Sequence, residues 1–220
     1  MAKGRPRPGN DASSRGPAAV AATPGDERDR IIEAMLACIA RQGWRRLSLA
    51  DIAAEAGMPI LRLYRMYPSK PAILCGFFRR IDEAVLAAPL DSEADERPRD
   101  RVFDLLMRRF DALTPYRGVI EALGRDVPAD PFAALAAGAR LLRSIRWMLE
   151  AAGISGEGLG GVVAVKLTAG AYLMTLRTWL RDDSPDLAPT MAALDRRLRN
   201  IERWYGGGRR RGDREATAQA

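Results

Sequence analysis

Two short helical runs separated only by Gly57-Met58-Pro59 constrain this chain more than any other feature of its sequence. The first covers Leu49 to Ala56. It opens on Ser48, with Asp51 three residues later at the spacing of a capping box, and it stops at Gly57. The second, Ile60 to Tyr67, is confined between Pro59 and Pro68. Longer helices brace the pair on both sides. Before it, acidic Asp26, Glu27 and Asp29 precede Ile31, Ile32, Met35, Leu36 and Ile39 at helical spacing, and Gly43 ends the run. After it, Ser69 caps a helix from Lys70 to about Ala88, with Ile73, Leu74, Phe77, Phe78, Ile81 and Val85 on one side.

Two short helices joined by a glycine turn and held by longer ones form a helix-turn-helix, in which the second short helix enters the DNA major groove. The residue types suit that geometry. Ala53 is small where the helices cross, Gly57 permits the sharp turn, and Ile52, Ala56 and Leu63 pack inward. Arg62, Tyr64, Arg65 and Tyr67 are left to face outward. Between residues 41 and 70 there are six basic residues against Asp51 and Glu55, a balance that suits either a phosphate-facing surface or a solvated charged face. An ordinary small helical bundle is the alternative that the pattern alone leaves open.

The run from Arg41 to Pro59, followed by Leu63-Tyr64-Arg65-Met66-Tyr67-Pro68-Ser69-Lys70, resembles the DNA-binding domain of the TetR family of bacterial transcriptional regulators. Gly43, Asp51-Ile52-Ala53, Gly57, Tyr64 and Pro68-Ser69-Lys70 stand in register over about 60 residues. The resemblance implies an all-helical homodimer whose N-terminal domains read a palindromic operator in double-stranded DNA and whose larger C-terminal domain binds a small molecule. It also implies DNA contacts from Tyr64, Arg65 and Tyr67, a phosphate contact from Lys70, and a backbone contact from Ser48. The front of the second short helix departs from the family pattern, with Pro59, Ile60 and Leu61 in place of polar residues. Base-edge hydrogen bonding then falls to Arg62, Tyr64 and Arg65, and Ile60 or Leu61 are suited to thymine methyls.

The remainder reads as helices alone: Asp100 to Leu113, Tyr116 to Gly124, Pro131 to Ala152, Gly158 to Leu180 and Asp186 to Tyr205. The fold class is therefore all-α. The expected organisation is a basic tail over 1–25, a helix-turn-helix domain over 26–88, a helical ligand-binding and dimerisation domain over 89–205, and a second basic tail over 206–220. The acidic stretch Pro89 to Pro98 is the expected joint. The chain has 220 residues and no His, which excludes His-based triads and His-ligated metals. Cys38 and Cys75 stand singly in apolar stretches and read as buried thiols in a reducing compartment, with the cytoplasm as the default. No nucleophile, metal or nucleotide motif stands out, so neither an enzyme nor a cofactor is expected. Met1 to Thr23 lacks an apolar run suited to a secretory signal. Leu159 to Leu176 contains Lys166 and falls short of a membrane span, so no span is expected.

In the last helix Leu187, Met191, Leu194, Leu198 and Ile201 form an apolar seam, and Gly170, Ala171 and Met174 in the preceding helix permit close approach. Either the seam meets a symmetry mate in a four-helix dimer or it packs within one chain. Large adaptable side chains, Phe103, Met107, Phe110 and Tyr116 with Trp147, Met148, Tyr172 and Trp179, are either core or the lining of an apolar ligand site. Lys166 is either a snorkelling side chain or an anchor for an acidic headgroup. The corner Trp179 to Asp186, with Thr190 and Leu194-Asp195-Arg196-Arg197, is similar to the lipid-binding accessory proteins of ubiquinone biosynthesis, which share the TetR fold. That likeness implies a lipid- or quinone-binding accessory protein as the alternative function. On the residues themselves, Asp182 to Pro185 makes a turn, Asp186 caps the last helix, and Arg196 and Arg197 can pair with Asp182 and Asp183.

Overall fold

Side-chain caps at Ser48, Ser69 and Asp130 fix the starts of three helices in the computed structural model, which describes residues 24–87 and 96–205. Ser48 Oγ accepts the Asp51 N–H at 3.1 Å, and the Asp51 carboxylate accepts the Ser48 N–H at 2.9 Å, closing the expected box at the start of α2 (Leu49–Glu55). Gly57 turns the chain at φ +62°, a backbone that L side chains rarely adopt. α3 follows as Ile60–Met66. It lies between α1 (Pro24–Gln42) and α4 (Lys70–Ala87), the latter capped as expected by Ser69, whose hydroxyl accepts the Ala72 N–H. Ile52, Ala53, Ala56 and Leu63 are buried where α2 and α3 meet the bracing helices.

The second half comprises α5 (Pro98–Leu113), α6 (Arg117–Asp126), α7 (Pro131–Ala151), α8 (Gly158–Trp179) and α9 (Ala188–Ile201), with one-turn 3-10 helices at Thr114–Tyr116, Val127–Ala129 and Glu202–Trp204. No strand occurs among the described residues. α4 packs on both α5 and α7, and α8 lies between α7 and α9. The buried side chains form one continuous hydrophobic cluster from Ile31 to Tyr205. The N-terminal helices join the C-terminal body through α1, which packs on α6, and α4, which packs on α5 and α7. Residues 1–23, 88–95 and 206–220 lie outside the described residues, and with them nearly all of both expected tails and most of the expected joint.

α8 corrects one expectation. By length and composition it is apolar enough to cross a membrane. In the fold, Ala164, Thr168, Tyr172, Thr175 and Trp179 on one side of it are buried in the body, while Leu159, Val162, Leu173 and Met174 face outward.

The Asp182 corner starts α9. Asp182 Oδ2 accepts the Thr190 N–H at 2.9 Å and its hydroxyl at 2.5 Å, and Oδ1 accepts the Ser184 N–H and hydroxyl. Asp186 takes only the Ala188 N–H, at 3.2 Å. Capping is thus shared with a residue upstream of the one expected. Arg196 and Arg197 do not pair with Asp182 and Asp183 as expected: Asp183 meets Arg117 at 3.5 Å, and Arg197 donates to the Ala193 carbonyl. Leu194 and Leu198 are fully buried inside one chain. The α9 seam is therefore largely core, with Leu187, Met191 and Ile201 half-buried at its edges.

Candidate DNA interface and ligand cavity

α3 presents a mixed face to solvent. Ile60, Leu61 and Tyr64 are 54%, 58% and 61% exposed, values that for large apolar side chains on a two-turn helix mark a surface awaiting a partner. Arg65 is exposed beside them. The other expected contacts are placed differently. Arg62 Nε donates to the buried Glu27 carboxylate at 3.0 Å, fastening α3 to α1. Using Arg62 on a base would leave that carboxylate, only 5% exposed, without its partner. Tyr67, expected outside, is only 6% exposed. Its hydroxyl is buried without a hydrogen-bond partner, in a space that exists because residue 76 is glycine: a Cβ there would sit 2.6 Å from it. Burial raises the Tyr67 phenol above its usual range.

Lys70 also points inward. Its ammonium donates to the carbonyls of Trp44 at 3.1 Å and Leu47 at 2.7 Å and lies 4.8 Å from the centre of the Trp44 ring. Desolvation lowers its pKa, with Asp130 acting in the opposite sense. Lys70 therefore braces the loop between α1 and α2 from inside. The Ser48 hydroxyl is engaged in its capping box. Arg41 is bound to Glu55 at 2.6 Å, which leaves Arg45 and Arg46, both exposed on the braced loop, as cations near the reader helices. The charge excess over 41–70 contained that signal, but spacing did not single the two residues out.

The same loop is anchored from the other side. Gly43, at φ +78°, brings the backbone so close that a Cβ would sit 2.9 Å from Asp126 Oδ2. That oxygen accepts the Trp44 N–H at 2.9 Å, while the Trp44 indole N–H donates to Asp130 at 3.1 Å. Asp130 is also the cap of α7; the Ala133 N–H and the Trp44 indole hold its carboxyl below the usual range.

Between these two carboxylates runs the turn Val127–Ala129, and its Val127 and Pro128 form one wall of an apolar cavity of about 360 Å³. The other walls come from Phe78 of α4, Leu113 of α5, Ile120 of α6, Ala134, Ala137, Gly138 and Leu141 of α7, and Tyr172, Leu173 and Leu176 of α8. Arg109 is the charged member of the lining.

Of the aromatic and methionine residues expected around a ligand, only Tyr172 lines this cavity. Phe110, Met148 and Trp179 are fully buried core, with Phe110 stacked on Tyr172 at 5.1 Å and against Trp179 at 5.7 Å. Trp147 is 61% exposed on the far side of α7. Tyr116 packs edge-on to Phe77. Phe103 and Met107 line a separate groove beside the Asp182–Leu187 corner, with Asp104, Asp111 and Arg117. Small residues, Ala134, Ala137 and Gly138, make the space, and the large side chains expected to line it do not. Lys166 is exposed, in agreement with a snorkelling side chain.

Residues 31–74 match the family described as bacterial regulatory proteins, tetR family. Among solved structures, a TetR transcriptional regulator from Nitrosomonas europaea superposes with a TM-score of 0.62 at 25% identity, covering 80% of this chain and 97% of that one. A TetR transcriptional regulator from Rhodococcus sp. RHA1 gives 0.57 at 21% identity, covering 80% and 95%. The dihydroxyacetone kinase operon activator DhaS gives 0.50 at 10% identity, covering 81% and 96%. No curated protein matches the chain.

Proposed function

We propose that this chain, a DNA-binding transcriptional regulator on the TetR fold, works in the cytoplasm as a homodimeric repressor that reads a palindromic operator and leaves it when an apolar small molecule fills the cavity between α4 and α8. The observation that carries the ligand response is the double use of one turn. Val127 and Pro128 wall the cavity, and Asp126 and Asp130 on either side of them hold Trp44. A ligand that displaces the turn therefore displaces the loop that leads into α2 and α3. Coupling of this kind is typically about 1–3 kcal/mol.

Tyr64 and Arg65 are the proposed polar readers, Ile60 and Leu61 the apolar contacts to thymine methyls, and Arg45 and Arg46 the phosphate contacts. For dimerisation the reading favours the outer face of α8. Leu159, Val162 and Met174 are 90%, 46% and 54% exposed there, and Gly170 has nothing within 4 Å of where a Cβ would stand, leaving room for a second helix.

Selection from random duplex DNA with the purified chain tests the reading. Enrichment of a two-fold palindrome is expected, and recovery of no sequence above background overturns it. Placed upstream of a reporter, the selected site should lower expression when the chain is present. A rise would reverse the sign of regulation.

A further inference from the structure

Arg109, the charged residue in the cavity wall, belongs to a cluster whose charges do not balance. Asp82 of α4 accepts from Arg109 Nη1 and the Ser144 hydroxyl through one oxygen and from Arg140 through the other. Arg109 also donates from Nε to the Tyr172 hydroxyl at 3.2 Å and from Nη1 to Ser144 at 2.9 Å. Asp82, Arg109 and Ser144 are 5%, 2% and 1% exposed and the Arg140 side chain 13%, so two guanidinium groups share one carboxylate, and the surplus positive charge reaches solvent only at Arg140. An isolated buried charge is strongly disfavoured unless it is paired. The hydrogen bonds of Arg109 to described residues use Nε and Nη1, which leaves Nη2 without one, in a residue that forms part of the cavity wall. The rest of the lining is aliphatic, aromatic or small.

We propose that the effector is an apolar acid, an acyl or aromatic carboxylate whose anionic group meets Arg109 Nη2 and whose apolar body lies against Phe78, Ile120, Val127 and Leu176. This rests on the reading of the cavity as the effector site and adds the charge of its ligand. The carboxylate completes the balance of the Asp82, Arg109 and Arg140 cluster, and the guanidinium gains the hydrogen bond that it lacks. A cavity of about 360 Å³ lies near the lower end of small-molecule sites, which favours a medium-length chain or a fused aromatic ring.

Calorimetric titration of the full chain at pH 7.5 with decanoate against decan-1-ol, and with 2-naphthoate against 2-naphthamide, tests the proposal. Each acid should bind at least tenfold more tightly than its neutral partner. Arg109→Gln should bring the two within about twofold, and Arg140→Gln, which removes the surplus charge from the less buried side of the cluster, should narrow the gap if Arg109→Gln does not fold. Gly138→Phe places a ring in the cavity from a helix position with nothing within 4 Å of a Cβ, and should abolish binding of both members of each pair. Equal binding of acid and neutral partner overturns the proposal while leaving the cavity an effector site. Binding of neither, in protein that still selects its operator, overturns both. Acid preference that survives in Gly138→Phe overturns the proposal by placing the carboxylate elsewhere.

Discussion

The indole N–H of Trp44 donates to the Asp130 carboxylate at 3.1 Å, joining the loop before the reader helices to the cap of α7. Trp44 is fully buried, so this bond cannot swing away without moving its backbone. Replacing Trp44 by Phe keeps most of the packing and removes the donor. The expected outcome is a loss of about 1 kcal/mol in stability, operator affinity within about threefold of the parent, and a ligand response that falls to less than half in free energy. Operator titrations with and without the apolar acid measure it. An undiminished response would place the coupling outside this joint.

Salt dependence separates the cations that touch DNA from those that hold the protein together. Arg45→Ala and Arg46→Ala should each lower the slope of log affinity against log salt by about one. Lys70→Met should leave that slope unchanged and reduce thermal stability, because its ammonium is occupied by the Trp44 and Leu47 carbonyls. Tyr64→Ala should weaken the operator more than random DNA. Tyr67→Phe, which deletes a buried hydroxyl with no partner, should leave operator affinity unchanged and raise stability by about 1 kcal/mol.

Oligomeric state distinguishes the two apolar surfaces near the C-terminus. Val162→Glu with Met174→Glu alters exposed positions on α8 and should yield folded monomers in sedimentation, with an unchanged far-ultraviolet circular dichroism spectrum. Leu194→Glu strikes a position with no exposure in one chain and should unfold the body. A dimeric Val162→Glu/Met174→Glu protein would move the interface off this face.

Acid should act on the start of α9. Burial pushes the Asp182 carboxyl up, yet hydrogen bonds from Ser184 and Thr190 outweigh it and hold the group at about 2, against an ordinary value of 3.8. A lowered folded-state value means that the stabilisation is complete above about pH 4 and is lost as pH falls through 2. Asp182→Asn should cost about 0.5–2 kcal/mol at pH 7, in the range of a lost helix cap. Melting curves from pH 7 to pH 2 should show the gap between parent and variant closing at the acid end. A gap of constant size would assign the effect to something other than this carboxylate.

The helices were legible because their signals are local. Ser48 and Asp51, Gly57 and Ser69 act within a few residues of themselves, and the apolar period needs only one face. What the sequence did not disclose are relations between distant positions. Arg62 looks like a base reader until Glu27, a helix away, is found beneath it. Lys70 looks like a phosphate contact until the loop it braces folds over it. The apolar character of Leu194 and Leu198 was evident, but an apolar stripe does not say whether it faces its own chain or another. Large side chains suggest a ligand lining in a sequence, whereas the space is made by residues that lack bulk: Ala134, Ala137 and Gly138.

The cavity walls divide by task. Val127 and Pro128 line the ligand space between the two carboxylates that hold Trp44, whereas Ala137, Gly138 and Leu141 line it from further along α7. On the proposed function, recognition and transmission then rest on separate residues. Redrawing the α7 wall would retarget the sensor to a new compound while its output stays intact, and the turn between Asp126 and Asp130 is the part that a redesigned sensor must leave alone.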